Sequence, residues 1–522
     1  MQFGGFLVWQ RYCQHYVVEA GLLLNQYRYV LLLAKFSPFF YTMPDTMSPH
    51  LTDAYSPETF RQQGHALIDL LADHLSRAEA GLNPVLPYME PDEQLAYWQA
   101  DFGQPTTADP LPLLADIVKR SIHLHHPHCM GHQVAVPLPL AALTGLLTGL
   151  LNQGMAVYEM GMTANVLERI VVQWLAGRLA MGSDAGGLLT SGGTLATLTA
   201  LLTARAVAAP ADVWENGTTD KLAVMVSEEA HYCVDRAARI MGLGTAGIIK
   251  VPTNDRFQMR TDLLDDYHRR ATAAGLTVFA VIGSACSTST GSYDDLTAIA
   301  DFCEKHRLWF HVDGAHGGAA ALSDTYRPLV RGIERADSVI VDFHKLMMTP
   351  ALVTAVLYKR DADSFRTFQQ KAQYLWADSS AKDWFNSGKR AFECTKLMMS
   401  AKVYVMLRTY GETIFAQNVD TLYGLARRFA EQVRSRPGFE LATEPESNIV
   451  CFRYAGNETD ADKLDALNSR IRQQVLTEGQ FYIVQTSLRG RAWLRVSLMN
   501  PFTTDAQLGA LLDALSESEL SD

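Results

Sequence analysis

The stretch VIVDFHKLMMTP, residues 339–350, opens as an apolar run of strand-forming residues and closes on an acid, a histidine and Lys345. Such a run reads as the end of a buried strand, the kind found in a mostly parallel sheet covered on both faces. An ammonium there is costly unless the lysine is paired, neutralised or covalently committed. Two readings compete: a strand-end lysine whose head snorkels to water, and an amine that bonds an aldehyde and so needs partner residues elsewhere in the chain.

Working outward, similar short runs, LAVMVS, TVFAVIGSA and WFHVDGA, alternate with helical runs such as TLATLTALLTARAVA between residues 120 and 365. Strands separated by helices predict an α/β domain over that range, with a mostly parallel sheet. After it, SNIVCFRY, QFYIVQTS and AWLRVSL are strand candidates with helices between them, which predicts a smaller α+β domain over 366–522. Before it, SPETFRQQGHALIDLLADHLSRA opens on a Ser-Pro-Glu helix start, and 47–119 read as an N-terminal helical arm. Residues 1–46, rich in aromatics and leucine but interrupted by charges and lacking a basic start or cleavage-type end, read as an extension the fold does not need.

With 522 residues, 48% hydrophobic and 19% charged, the chain has room for two or three units around large cores. Its formal charge of -11 and lack of a Lys/Arg run argue against a grip on nucleic acid or anionic lipid, so a small-molecule partner is expected. Seven scattered cysteines without a CxxC pair suggest neither a disulfide framework nor a metal site, and a reducing, cytoplasmic setting is expected. No apolar tract offers a clean uncharged span of the roughly 20 residues that a membrane helix requires.

Three further stretches bear on Lys345. GLLTSGGTLATLTALLTAR is a strand end, a glycine turn and a helix start, which would aim N–H groups and the helix dipole at an anion near Gly192, Gly193 and Thr194. Alone it is as consistent with a plain turn. VSEEAHYC places His231 just past a strand, at the sheet edge where ligands bind in open α/β folds, although a lone histidine there is more often structural. WFHVDGAHGGAA ends a strand on Asp313, which calls for a cationic partner or a capping role, and the small residues after it let a flat group approach the backbone. In chain order, the turn, His231, Asp313 and Lys345 suit one ligand with a phosphate, a flat protonated ring and an aldehyde: pyridoxal 5'-phosphate. Lys345 would bond the aldehyde, Asp313 would keep the ring nitrogen protonated and His231 would stack on the ring.

Together with NQGMAVYEM, STSTGSYDDL, HVDGAHGG, GIERADSVIVDFHK and LRVSLMNPFTT, these motifs make the chain from about Pro57 onward resemble the group II pyridoxal-dependent amino acid decarboxylases of fold type I. That family includes glutamate, aromatic amino acid, cysteine sulfinate and 2,4-diaminobutyrate decarboxylases. The resemblance implies a seven-stranded, mostly parallel sheet, conversion of an L-amino acid to its amine and CO2, and a homodimer with the active site at the subunit interface. It implies that Lys345 is the cofactor lysine, Asp313 the partner of the ring nitrogen, His231 the stacking residue and Ala315 the methyl under the opposite face. Gly193, Thr194 and His344 resemble phosphate-side residues. Ser287 stands in CSTSTG where GTTxTG is commoner, keeping a hydroxyl beside the cofactor. His132 and Gln133, in HHPHCMGHQVAVPLP, resemble the wall that handles the substrate carboxylate.

Substrate identity stays open: diaminobutyrate-type enzymes share the look of GKRAFECTKLMM, whereas an acidic substrate would want an arginine, with Arg390 and Arg489 weighed for that place. Relatives carry a tyrosine, on the loop after the lysine, that returns a proton to Cα. Here that loop, QKAQYLWADSSAKDWFNSGKR, is short, and its one tyrosine, Tyr374, belongs to the YL before it. The proton is therefore expected from His231 or an ordered water, with an aldehyde synthase or aminotransferase on the same fold as the alternative.

Overall fold

The computed structural model describes residues 48–107, 109–218, 220–368 and 383–517; the N-terminal extension, and Tyr374, Trp376, Asp378 and Lys382 of the loop, lie outside the described residues. The described residues form two compact units. The first comprises 48–70 with 109–111. It is helical, with Ser48 capping Pro49–Ala54 and Ser56 Oγ accepting the Thr59 N–H at 3.2 Å where the helix Pro57–Glu79 begins on its proline.

The second unit contains two sheets. The larger has seven strands: β1 Gly186–Thr190, β2 Leu222–Ser227, β3 Ile248–Val251, β4 Thr277–Ser284, β5 Trp309–Asp313, β6 Ser338–Asp342 and β7 Thr354–Tyr358. Their spatial order is β1-β7-β6-β5-β4-β2-β3. β7 is antiparallel to both neighbours and every other pair is parallel. The VIVD run is β6. Val339 and Val341 belong to one core and Ile340 to another, so the strand is covered on both faces and shows no polar alternation. Helices Met162–Arg178, Gly193–Ala208, Tyr232–Ile240, Leu264–Ala273 and Leu296–His306 cover the sheet.

Register decides where the chemistry collects. Ser284 lies opposite Asp313, and both Thr190 and Asp342 lie opposite Thr354, so the carboxyl ends of β1, β4, β5 and β6 share one edge of the sheet. The smaller sheet is antiparallel and has four strands, β8 Phe439–Leu441, β9 Ile449–Tyr454, β10 Val484–Leu488 and β11 Arg491–Ser497, in the order β10-β11-β9-β8. One more strand is present than expected, because β8 is three residues long with only Phe439 buried, too short for a pattern to show. Helices Thr413–Ser435, Ala461–Glu478 and Asp505–Glu517 accompany this sheet, around a core that includes Phe429, Phe452 and Leu494. No described helix is long and apolar enough to cross a membrane.

Candidate active site

At the shared edge of the larger sheet lies a cavity of about 310 Å³, near the lower end of the roughly 300–1,000 Å³ usual for ligand pockets. Gly192 turns the chain from β1 into the helix Gly193–Ala208 at φ +111°, where a side chain would be strained, and Leu352 stands 3.3 Å from where its Cβ would lie. That helix therefore starts at the cavity wall, with the first-turn N–H groups of Gly193 and Thr194 left without intrahelical partners.

Lys345 follows β6. Its Nζ is 3.1 Å from Asp342 Oδ2; its side chain keeps 20% of its surface open, whereas that of Asp342 keeps 2%. Burial drags the Lys345 pKa down, but the carboxylates of Asp342 and Asp313 outweigh it and the net shift is upward. Asp342 also accepts from Thr354 Oγ1 at 2.5 Å and has His344 Nε2 at 3.6 Å, while His344 Nδ1 lies against Val353. Asp342 thus makes the buried ammonium tolerable. It was missed in the sequence, although an acid ending an apolar strand is the same signal that singled out Asp313.

Asp313 ends β5. Its Oδ1 accepts the Ala315 N–H at 3.1 Å, its Oδ2 lies 3.9 Å from Cys233 Sγ, and among the described residues no cation pairs with it. Acceptor capacity therefore remains towards the cavity, which Ala315 also lines. His231 caps the helix Tyr232–Ile240, with Nδ1 accepting the Cys233 N–H at 3.3 Å, an arrangement that assigns the ring proton to Nε2. Burial sets its pKa below the ordinary value; Asp313 opposes that and Lys345 adds to it. His316 Nε2 bonds Asn448 Oδ1 at 2.6 Å, tying the cavity to the segment before β9, and burial pushes its pKa down to about 3.

Some expected residues are elsewhere. Thr288 lines the cavity and Ser287 does not, because the Ser287 hydroxyl turns to Thr290 Oγ1 at 2.8 Å. Neither His132 nor Gln133 lines it. Their segment runs beside it, with Ala135 N on His344 O at 3.4 Å and Leu138 N on Met348 O at 3.0 Å. Arg390 is buried against Asp361 and Arg489 pairs with Asp255, so neither faces the cavity.

Two other arginines stand out. Arg495 on β11 is 6% exposed, donates Nη1 to the Thr288 carbonyl at 2.6 Å, has a buried Nε with no hydrogen-bond partner, and pairs with no carboxylate among the described residues. Arg472, in the helix Ala461–Glu478, also has a buried, unpartnered Nε. A charge inside the apolar run AWLRVSL could have revealed Arg495; Arg472 sits in a polar helix and gives no such signal.

Asp313, with no cation paired to it among the described residues, suits a protonated ring nitrogen, the helix start suits a phosphate, and Lys345 supplies an amine in the same cavity, so the residues fit pyridoxal 5'-phosphate. Fold and site together define an α/β enzyme built for that cofactor. The pyridoxal-dependent decarboxylase conserved domain matches residues 107–455. The chain belongs to this family: it is a pyridoxal-phosphate-dependent amino acid decarboxylase, a carboxy-lyase. It is 30% identical to human cysteine sulfinic acid decarboxylase over 414 residues, 76% of this chain and 83% of that one. It is 28% identical to the L-2,4-diaminobutyrate decarboxylase of Acinetobacter baumannii, covering 77% and 82%. Among solved structures, the glutamate decarboxylase domain of a diaminobutyrate-pyruvate transaminase and L-2,4-diaminobutyrate decarboxylase from Vibrio parahaemolyticus matches with a TM-score of 0.79 at 27% identity, over 91% of this chain and 98% of that one.

Proposed function

We propose that the decarboxylation of an L-amino acid to amine and CO2 takes place in the cavity at the ends of β5 and β6. The observation that carries this is Lys345 and the unpaired Asp313 on neighbouring strand ends of one pocket. When bound, pyridoxal 5'-phosphate supplies the electron sink for the pair left at Cα. Lys345 would bond it, Asp313 would hold the proton on its ring nitrogen, His231 and Ala315 would flank it, and Gly193, Thr194 and His344 would hold the phosphate. Arg495, adjoining the cavity through Thr288, would take the α-carboxylate and so orient the substrate. Candidate substrates are 2,4-diaminobutyrate and acidic amino acids, since relatives are named for each.

The proton that replaces the carboxylate comes, in this reading, from Lys345. No tyrosine lines the cavity among the described residues. His231, expected to serve, has little of its acid form to offer in this setting: burial lowers its pKa and its Nδ1 accepts the Cys233 N–H, so the imidazolium is disfavoured. The ammonium of Lys345, whose raised pKa favours the protonated form, would be the donor. Borohydride should trap cofactor on Lys345, and His231→Asn should leave the ratio of amine to aldehyde unchanged. Trapping on another lysine refutes the site, and a ratio shifted towards aldehyde returns the proton to His231. The lack of a cavity tyrosine among the described residues also favours the second reading, an aldehyde synthase, which aldehyde and ammonia as main products would establish.

A homodimer is part of the same proposal. Leu143, Leu146, Leu147, Leu150 and Leu151 of the helix Pro139–Leu151 each expose 46–66% of their surface, an apolar stripe suited to a second copy. A monomer at micromolar concentration by light scattering would contradict it. The six described cysteines are free, which supports a reducing, cytoplasmic setting.

A further inference from the structure

We infer that a second cavity, which meets the cofactor cavity at its phosphate end, binds an alkylammonium ion, and that this ion strengthens the hold on the phosphate. The second half rests on the reading of the Gly193–Thr194 turn as the phosphate seat. The cavity measures about 590 Å³, well inside the usual range for ligand pockets. It shares Ser191 and Leu352 with the cofactor cavity, whereas Lys345, Asp313 and His231 line the first alone. Leu352 is also the residue that faces Gly192, so the junction lies at the glycine turn that starts the helix Gly193–Ala208. The two cavities thus meet beside the phosphate seat, and no residue assigned to the ring or the amine belongs to both.

The polar lining of this cavity is short of donors. Lys396 Nζ is taken by Glu168 Oε1 at 2.6 Å and the Leu189 carbonyl at 2.7 Å, and Thr395 Oγ1 accepts the Met155 N–H at 3.2 Å. Two acceptors are left over: Glu393 Oε2 and Gln153 Oε1 are both buried without a hydrogen-bond partner, and the cavity's one lysine is already paired with Glu168. Leaving a carboxylate oxygen unmatched is costly, and a cation that carries N–H donors removes the cost. Met160, Leu352, Leu397 and Met399 add an apolar wall that suits methylene groups. No cluster of three metal-ligating side chains is found among the described residues, so an ammonium with an alkyl chain fits this lining better than a bare metal ion. The amine released by decarboxylation belongs to the same chemical class.

Ser191 couples the two cavities. Its hydroxyl donates to Glu393 Oε1, and that single proton cannot also serve a phosphate seated at Gly193 and Thr194, whose charge Glu393 opposes as well. An ammonium on Glu393 offsets the carboxylate charge and frees the Ser191 hydroxyl to turn to the phosphate. By linkage, a phosphate in its seat must favour the ammonium by the same factor.

Calorimetry on borohydride-reduced holoenzyme, in which no aldehyde is left to react with an amine, isolates the site. Butylammonium should bind, and 1-butanol, with the same chain and no charge, should bind at least about tenfold more weakly. Glu393→Gln should weaken butylammonium about tenfold, the size expected for one charge-assisted contact, and leave 1-butanol unchanged. The new amide oxygen can still accept from Ser191, and Gln153→Leu, which removes the other free acceptor, should weaken butylammonium by a few-fold as an independent check. Arg495→Gln should leave this binding in place, because Arg495 does not line the cavity. In the stripped protein, inorganic phosphate should bind about fivefold tighter with butylammonium present, and Glu393→Gln should abolish that gain. Butylammonium that fails to bind, that binds no better than 1-butanol, or that binds wild type and Glu393→Gln alike overturns the site; phosphate binding indifferent to butylammonium overturns the coupling. Cofactor fixed by borohydride to a lysine other than Lys345 would instead refute the active-site reading, with the butylammonium measurements still deciding the second cavity.

Discussion

The cofactor cavity and the wall beyond Thr288 meet their charges differently. In the cavity the Lys345 ammonium has Asp342 at 3.1 Å, and Asp342 has Thr354 and His344 as further partners, so among the charged side chains described there it is Asp313 that keeps an open acceptor side. In the wall, Arg495 and Arg472 each keep an unpartnered Nε and no carboxylate answers them among the described residues. A nearly closed set of charges suits a group that stays through many turnovers, since it stands pre-organised around that group. An open set suits an anion that arrives and departs each cycle, because only its arrival satisfies the donors.

The strongest test of the closed set is Lys345→Ala. Activity should fall at least about a thousandfold, as for loss of a covalent catalyst, and borohydride should no longer fix the cofactor to the protein. Asp313→Asn comes next: the cofactor should still bind, yet turnover should drop by roughly 10² to 10³, because a neutral amide no longer favours the ring proton. Turnover within a few-fold of wild type would mean that the open acceptor of Asp313 is not what the site uses.

Legibility followed the same division. Lys345, Asp313 and His231 could be read because strands buried on both faces leave continuous apolar runs, against which a polar residue at the strand end stands out. The turn after β4 was harder. Cys286 sits at φ +81°, and at that kink a shift of one residue decides whether Ser287 or Thr288 faces the cavity, which residue types alone do not reveal. The wall was least legible. Arg495 meets Thr288 across 207 positions of chain, and Arg472 is brought near it only by the packing of its helix on β11, so no local pattern joins them to Lys345.

The wall should also be the part sensitive to acid. Its segment carries His125, His126 and His128, all held below the ordinary pKa chiefly by burial, His126 down to about 4. A histidine whose folded pKa is depressed leaves the unfolded chain binding more protons between the two values. The stability is therefore present above about pH 6.5 and lost as pH falls towards 4, at up to about 1.4 kcal/mol per pH unit for His126 alone. The melting temperature should fall over that window, and His126→Asn should flatten the fall; an unchanged slope would remove His126 from the account.

Asp342→Asn should give the smallest effect and the finest test of the contrast. The amide oxygen can still accept from Thr354, so packing is preserved, but the ion pair with Lys345 is gone. Burial then acts on the ammonium with Asp313 as the principal carboxylate opposing it, and the Lys345 pKa must fall. An amine attacks an aldehyde only when unprotonated. Cofactor uptake by the stripped protein, followed by absorbance after mixing with pyridoxal 5'-phosphate, should therefore reach its half-maximal rate at a lower pH than in wild type, while turnover of the loaded enzyme changes by less than about tenfold. Arg495→Gln, which alters the open wall and not the closed set, should leave that uptake profile in place. If Asp342→Asn leaves it in place as well, Asp342 does not govern the charge on Lys345, and the balance attributed to the cavity rests on Asp313 alone.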